Sequence, residues 1–344
     1  MRVLSKALFV AGVACAALAV AVGVWVWVAA HAPLAGLTQP VSLTVQSGAS
    51  AAAVGRQLSE QGVLPSPRLF RVWARLSGAA DQLKAGEYEL TPGLSMTGVL
   101  DLLVAGRVKL YPFTILEGWT WRDVRDAMDA SSVVFKTVDF DSAESMAAYL
   151  PGKPEHAEGR LFPDTYTIAR GTADVELLRQ AAELMSERLA AAWESRSADL
   201  PLQTPQELLT LASIIERETS LDDERPEVAG VFIRRLRKGM RLQTDPTVIY
   251  GLGDSFDGNL TRAHLLTDTP YNTYTRGGLP PTPIAMPGEA SLQAAAHPRD
   301  GDSIFFVASA ELDGSHVFSV TLEQHNAAVA AYIAALRRAR LNSR

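Results

Sequence analysis

TPQELLTLASIIERET, residues 204–219, opens with helix-start signals and closes on two glutamates two places apart. Thr204 can accept from a backbone N–H of the first turn, and Pro205 sits where its missing donor costs nothing. Glu207 can reach back to the capping amide. At about 100° per residue, Leu208, Leu211, Ala212 and Ile215 share one face, and Thr219 continues it. Glu216 and Glu218 then fall about 200° apart, one on each edge of the apolar stripe. Periodicity does not choose between them. A carboxyl at the edge of an apolar surface loses hydration, so its pKa rises and it can hold a proton for use as a general acid. The competing reading makes both glutamates solvated helix-end residues, paired with Arg217 or Arg225.

Downstream, ERPEVAGVFIRRLRKGM (224–240) reads as a second amphipathic helix, with Val228, Val231, Phe232 and Leu236 inward and Gly239 at its end. In RLQTDPTVIYGLG (241–253), Thr244 or Asp245 can cap a helix that begins at Pro246, and Gln243 stands at its mouth. TDTPYNTYTRGGLPPTPIAMPG (267–288) is a loop dense in proline, glycine and tyrosine. Rigid turns and aromatic hydroxyls suit a groove for sugars, which offer apolar faces and hydroxyls together; an ordinary structured loop is the alternative.

Upstream, the chain begins with Arg2 and Lys6 and then has no charged residue over residues 7–30. That run is long enough for one helical crossing of a hydrocarbon core about 30 Å thick. Trp25 and Trp27 stand near its end, where interfacial anchors belong. The preceding positive charge predicts a cytoplasmic N-terminus and a translocated remainder. Two readings compete with this one: a cleaved signal peptide using Ala30-His31-Ala32, for which the apolar run is too long, and a lipoprotein signal at Cys15. The lipoprotein reading fits less well, because Gly12 replaces a bulky aliphatic and the run continues past the cysteine.

Residues 31–40 carry prolines and a glycine and predict a short tether. Residues 41–107 predict a small α+β module: a strand at 41–46, helices at 51–62 and 67–78, a strand and turn at 85–93, and a helix at 95–106. A larger mixed α+β domain is expected over 108–335, with residues 131–160 as a surface excursion, followed by a basic tail at 336–344. The net charge of −6 and pI near 5.6 exclude a nucleic-acid binder working through a basic face. The single cysteine excludes an intrachain disulfide. The histidines are scattered and H-E-x-x-H is absent; no metal and no cofactor are expected.

The stretches LKAGEY, LFPDTY (161–166), LASIIERET (211–219), VAGVFIRRLRKGMRLQTDPTVIYGLG (228–253), PYNTY (270–274), GLPPTPIAMPG (278–288) and HVFSVTLEQHN (316–326) occur in this order. Together with the N-terminal span they resemble the endolytic murein transglycosylase family, membrane-anchored lytic transglycosylases of bacterial envelopes. The resemblance covers nearly the whole chain. It implies a single-pass inner-membrane protein with a LysM-like module, a periplasmic catalytic domain and a lysozyme-like helical site. In that family the catalytic glutamate precedes a small hydroxyl residue, which selects Glu218-Thr219.

The implied reaction cleaves the β-1,4 bond from N-acetylmuramic acid to N-acetylglucosamine and leaves 1,6-anhydro ends. On the same resemblance, Gln243, Tyr271, Asn272 and Tyr274 are candidates for holding N-acetyl groups and developing charge. Asp164 is equally a structural or a groove residue, and Glu216 supports the site or faces solvent. Asp222, Asp223, Glu224 and Asp245 read as helix caps, His316 and His325 as strand and cap residues. Thr282, Met286 and Arg160 depart from the family pattern. Expected partners are peptidoglycan strands, the membrane and, by implication only, peptidoglycan synthases. A non-catalytic peptidoglycan-binding scaffold and a hydrolytic muramidase are the alternatives.

Overall fold

The computed structural model describes residues 2–342, so that Met1, Ser343 and Arg344, the last two within the expected basic tail, lie outside the described residues. The chain is mixed α+β, with one N-terminal apolar helix and three two-stranded sheets among the described residues. It divides into two compact units, Met1–Tyr111 with Thr167–Thr172, and Pro112–Tyr166 with Ala173–Arg344.

The first unit begins with α1 (Arg2–His31), which contains one stretch, Phe9–His31, long and apolar enough to cross a bilayer. β1 (Val41–Val45), α2 (Ala51–Glu60), α3 (Pro67–Leu76), β2 (Gly86–Leu90) and α4 (Met96–Ala105) follow. β1 and β2 pair antiparallel, with Val41 opposite Leu90 and Leu43 opposite Tyr88. The alternation puts Leu43, Val45, Tyr88 and Leu90 on one face, where Val54, Leu58, Phe70, Val99 and Leu103 close over them. Ser50 and Ser95 each cap their helix by accepting from the amide three residues on.

Residues 31–40 are not a free tether. Leu34 and Leu37 are buried in this core, and the Leu34 amide donates to the Leu94 carbonyl at 2.9 Å. Prolines and a glycine suggested slack; two leucines three places apart supply the burial that removes it.

The second unit is built around α8 (Pro205–Glu218). Before it come β3 (Leu110–Thr114), α5 (Trp121–Ala130), α6 (Ala143–Ala147), β4 (Thr165–Ala169) and α7 (Asp174–Ser195). After it come α9 (Arg225–Arg237), α10 (Asp245–Leu252), α11 (Arg262–Leu266), α12 (Glu289–Ala296), β5 (Phe305–Ala308), β6 (His316–Ser319) and α13 (Leu322–Asn342). The boundary between the units falls within β3 and β4.

α7, α9 and α12 pack against α8, and residues 208–215 are buried on every side. The single stripe read from the sequence is therefore too narrow. Thr210 and Ser213 tolerate burial because each hydroxyl donates to the carbonyl one turn back, at 2.9 and 2.7 Å. Each buried leucine or isoleucine of α8 contributes about 1.5–3 kcal/mol.

Residues 131–160 also differ from expectation. Ala143, Met146, Ala147, Leu150 and Ala157 are buried, and so is Glu158. Their irregular spacing hid a packed segment from a periodicity argument.

Candidate active site

α8 starts with Thr204 accepting from the Glu207 amide at 3.2 Å, whereas the Glu207 carboxylate takes the Gln203 amide, one residue before the capping amide that the sequence suggested. It stops at Glu218, because Thr219 turns into extended backbone. Thr219 is buried; its hydroxyl accepts from the Leu221 amide at 3.1 Å and donates to Glu224 at 3.4 Å. Glu218 is thus fixed where the core ends.

The Glu218 side chain is half-buried. Burial pushes its carboxyl up to about 7; the nearby Asp245 carboxylate works in the same direction, while the Thr244 hydroxyl and His316 oppose it. The helix C-terminus, the negative pole of α8, also disfavours the anion. Thr244 is the N-cap residue of α10 yet makes no side-chain cap: its hydroxyl donates to Glu218 Oε1. Thr244 is itself positioned by Thr273, whose hydroxyl accepts from the Thr244 amide at 3.1 Å and pairs with the Thr247 hydroxyl at 2.9 Å.

Glu218 borders a cleft of about 460 Å³ that is also lined by Gln243, Asp245, Tyr274, Phe306 and His316. Gln243 has a left-handed backbone, φ 53°, which costs a non-glycine residue roughly 1–2 kcal/mol and marks a position held by its surroundings. Its amide donates to Thr273 O at 3.2 Å, and its side-chain oxygen accepts from Arg235 at 3.4 Å. The Tyr274 hydroxyl donates to Asp245 Oδ1 at 2.6 Å. His316 is fixed by Glu224, whose carboxylate takes both the His316 amide and ring nitrogen at 2.7 Å. Glu224 and Asp245 therefore serve this cleft rather than cap helices by their side chains, a correction to the sequence reading.

On its other side Glu218 borders a second cleft of about 470 Å³, shared with Glu117, Gly118, Glu216, Arg217 and Arg225. The Glu216 side chain is only 5% exposed, paired with Arg225 at 3.4 Å and accepting from the Gly288 amide at 3.0 Å. Its solvent-facing reading is removed. Burial and the neighbouring Glu216 both push the Glu117 carboxyl up.

Arg217 joins this cleft to a third, of about 690 Å³, where Tyr271 lies with Trp121, Arg122, Tyr250 and Ile284. The Tyr271 hydroxyl shares a hydrogen bond of 2.8 Å with Thr282, so the departure at 282 supplies a partner for that tyrosine. Tyr250 meets Tyr271 edge-on at 4.8 Å and donates to Glu158 at 2.9 Å. Burial pushes the Glu158 carboxyl up to about 8.

The structure thus brings Glu218, Gln243 and Tyr274 to one cleft and Tyr271 to another. Asn272 is fully buried, donating to three carbonyls of residues 264–267 and accepting from the Tyr274 amide at 2.8 Å; it shapes the loop from within. Asp164 is exposed, lines none of the three clefts, and accepts from its own neighbour's amide at 2.6 Å. Met286 is buried and holds the loop by its backbone to Gly118 and Trp119, while Arg160 donates to Gln206. Thr244, Phe306 and the His316–Glu224 pair escaped sequence reasoning as site residues; the only signal was that Thr244, Glu224 and His316 stand in quoted stretches, and Phe306 had none.

The YceG-like family pattern matches residues 43–331. The endolytic murein transglycosylase of Bacillus subtilis (strain 168) is 31% identical over 310 residues, covering 85% of each chain. A protein of the same name from Streptococcus pneumoniae (strain ATCC BAA-255 / R6) is 28% identical over 327 residues, which span 85% of this chain and 58% of that one. The crystal structure of a YceG-like protein from Listeria monocytogenes superposes with a TM-score of 0.53 at 28% identity, covering 84% of this chain and 98% of that one.

Proposed function

This chain belongs to the YceG-like family, and on that premise we propose that it is a lytic transglycosylase, a lyase that cuts the glycan strands of peptidoglycan. The observation that carries this reading is Glu218: a carboxyl raised to about 7 by burial that borders two clefts. The bond cut is the β-1,4 link from N-acetylmuramic acid to N-acetylglucosamine.

Glu218 gives its proton to the bridging oxygen as the bond to C1 breaks. The resulting carboxylate takes the proton of the muramyl C6 hydroxyl, whose oxygen bonds to C1. No water is consumed, and the new end is 1,6-anhydro. This internal nucleophile replaces the second carboxylate that a retaining glycosidase places about 5 Å from its acid. Returning the proton to Glu218 restores the enzyme, which a pKa near neutrality favours. Gln243 and Tyr274, which share a cleft with Glu218, orient the sugar there, and Tyr271 meets the strand further along in the cleft that Arg217 also lines. The helix-borne acid at a cleft edge is the sense in which the site is lysozyme-like.

α1 serves as a single-pass inner-membrane anchor, N-terminus cytoplasmic, with the rest of the chain periplasmic. The β-α-α-β order with an antiparallel strand pair supports a LysM-like reading of residues 41–107. Cutting near the membrane would limit nascent strand length, in concert with synthases. Mass spectrometry of strands digested by the purified protein tests the reaction: anhydro ends are expected, reducing ends would make it a muramidase, and uncut strands a scaffold.

A further inference from the structure

α3 lies against the last turn of α1, and both belong to one compact unit. The His31 ring sits 4.4 Å from Trp27 and meets the edge of Trp73, on α3, at 5.5 Å. The Thr97 hydroxyl, on α4, donates to the buried Ala30 at 3.1 Å. α3 is therefore held at the level where the apolar stretch Phe9–His31 ends. With α1 as an anchor, that is the level of the lipid headgroups.

The sequence of α3, PRLFRVWARL, is graded around its axis. Phe70 and Ala74 point into the core. Beyond Trp73, on the flank that turns toward α1, Leu76 and Val72 are 69% and 43% exposed. Arg68, Arg75 and Arg71 follow within about 60° of one another. α3 has no acidic residue, and among the described residues none of these three arginines has a carboxylate within ion-pair reach. An apolar edge beside a membrane span with a cationic edge beyond it is the pattern of a helix lying in an interface.

We infer that α3 is a second membrane contact, with Val72 and Leu76 in the edge of the acyl layer beside α1 and Arg68, Arg71 and Arg75 on anionic phospholipid headgroups. Continuity with α1 selects the bilayer as the occupant, and three unpaired guanidiniums select anionic lipid within it. The contact stops the module from pivoting about its anchor. The inference rests on the anchor reading of α1.

The test uses the full chain reconstituted in phosphatidylcholine vesicles, with and without phosphatidylglycerol. A nitroxide is attached at Leu76→Cys in a Cys15→Ala background, and its collisions with oxygen and with an aqueous nickel chelate are compared. Native Cys15, exposed on α1, carries the label in a parallel sample. The expected result is a label at position 76 shielded from nickel when phosphatidylglycerol is present, with the shielding lost on R68E/R71E/R75E. A label at 76 open to nickel in both lipids, with Cys15 shielded, overturns the α3 contact and leaves the anchor standing. Shielding that survives charge reversal overturns the headgroup contact. Nickel access at Cys15 overturns the anchor and the inference with it.

Discussion

Thr244 gives its hydroxyl to the carboxyl of Glu218 instead of to the first turn of the helix that it caps. The bond favours the carboxylate, whereas burial favours the acid, and burial prevails with a pKa near 7. The rate of strand cleavage is therefore expected to fall above about pH 7 as Glu218 loses its proton. Thr244→Val removes the one bond that stabilises the anion, so this alkaline limb moves to higher pH. Hydrogen bonds to charged groups contribute about 1.5–3 kcal/mol, so the maximal rate drops by about tenfold or more. Thr244→Ser restores both, and a pH–rate profile of the three proteins checks it.

Glu216 and Glu218 part company on stability. Glu216 is paired with Arg225, and both side chains are nearly inaccessible. Glu216→Gln takes away one of the two carboxylates on Arg225 and leaves the exposed Asp222 as its remaining partner, so the loss falls below the roughly 3–5 kcal/mol of a fully broken buried pair. Glu218→Gln replaces a carboxyl that folding already biases toward the neutral form, so at neutral pH it relieves the cost of ionisation and the melting temperature does not fall below that of wild type. Calorimetry on both variants decides it.

Glu158 imposes a pH dependence on folding. Its carboxyl is raised from 4.5 to about 8 by burial. A raised folded-state pKa contributes stability that is full below the unfolded value and is lost as pH climbs through the folded one. The melting temperature should accordingly decline from about pH 4.5 to about 8. Glu158→Gln flattens that slope, at the cost of a constant offset from one lost acceptor for Trp121 or Tyr250. Melting curves across this range provide the measurement.

Gly159 fits one motif against another. It has φ 74°, and a Cβ there would enter the ring of Pro283 at 2.5 Å. Neither the ring nor the backbone beside it can move away cheaply. Gly159→Ala should cost about 1–2 kcal/mol for the left-handed conformation and about 1–3 kcal/mol for overpacking. Denaturant unfolding checks the sum.

Local chemistry was legible and long-range chemistry was not. The start of α8 could be read because Thr204, Pro205 and Glu207 act within a single turn, although the Glu207 side chain goes to Gln203 rather than to the capping amide. The choice of Glu218 over Glu216 came from the Glu-Thr step of a known family, since helical geometry treats both edges of a stripe alike. Asn272 looked like a sugar ligand because a buried amide satisfied by its own loop has the same sequence as an exposed one. Glu224 and His316 lie 92 residues apart, and only folding brings them together. Residues 31–40 were read as a tether and 131–160 as a surface excursion because burial by scattered leucines, alanines and methionines leaves no period.

The most direct test of the central claim is the product spectrum of Glu218→Gln on purified glycan strands, read by mass spectrometry beside wild type. The account predicts 1,6-anhydro ends from wild type and none from a folded Glu218→Gln protein. Anhydro ends formed by the variant at the wild-type rate would contradict it.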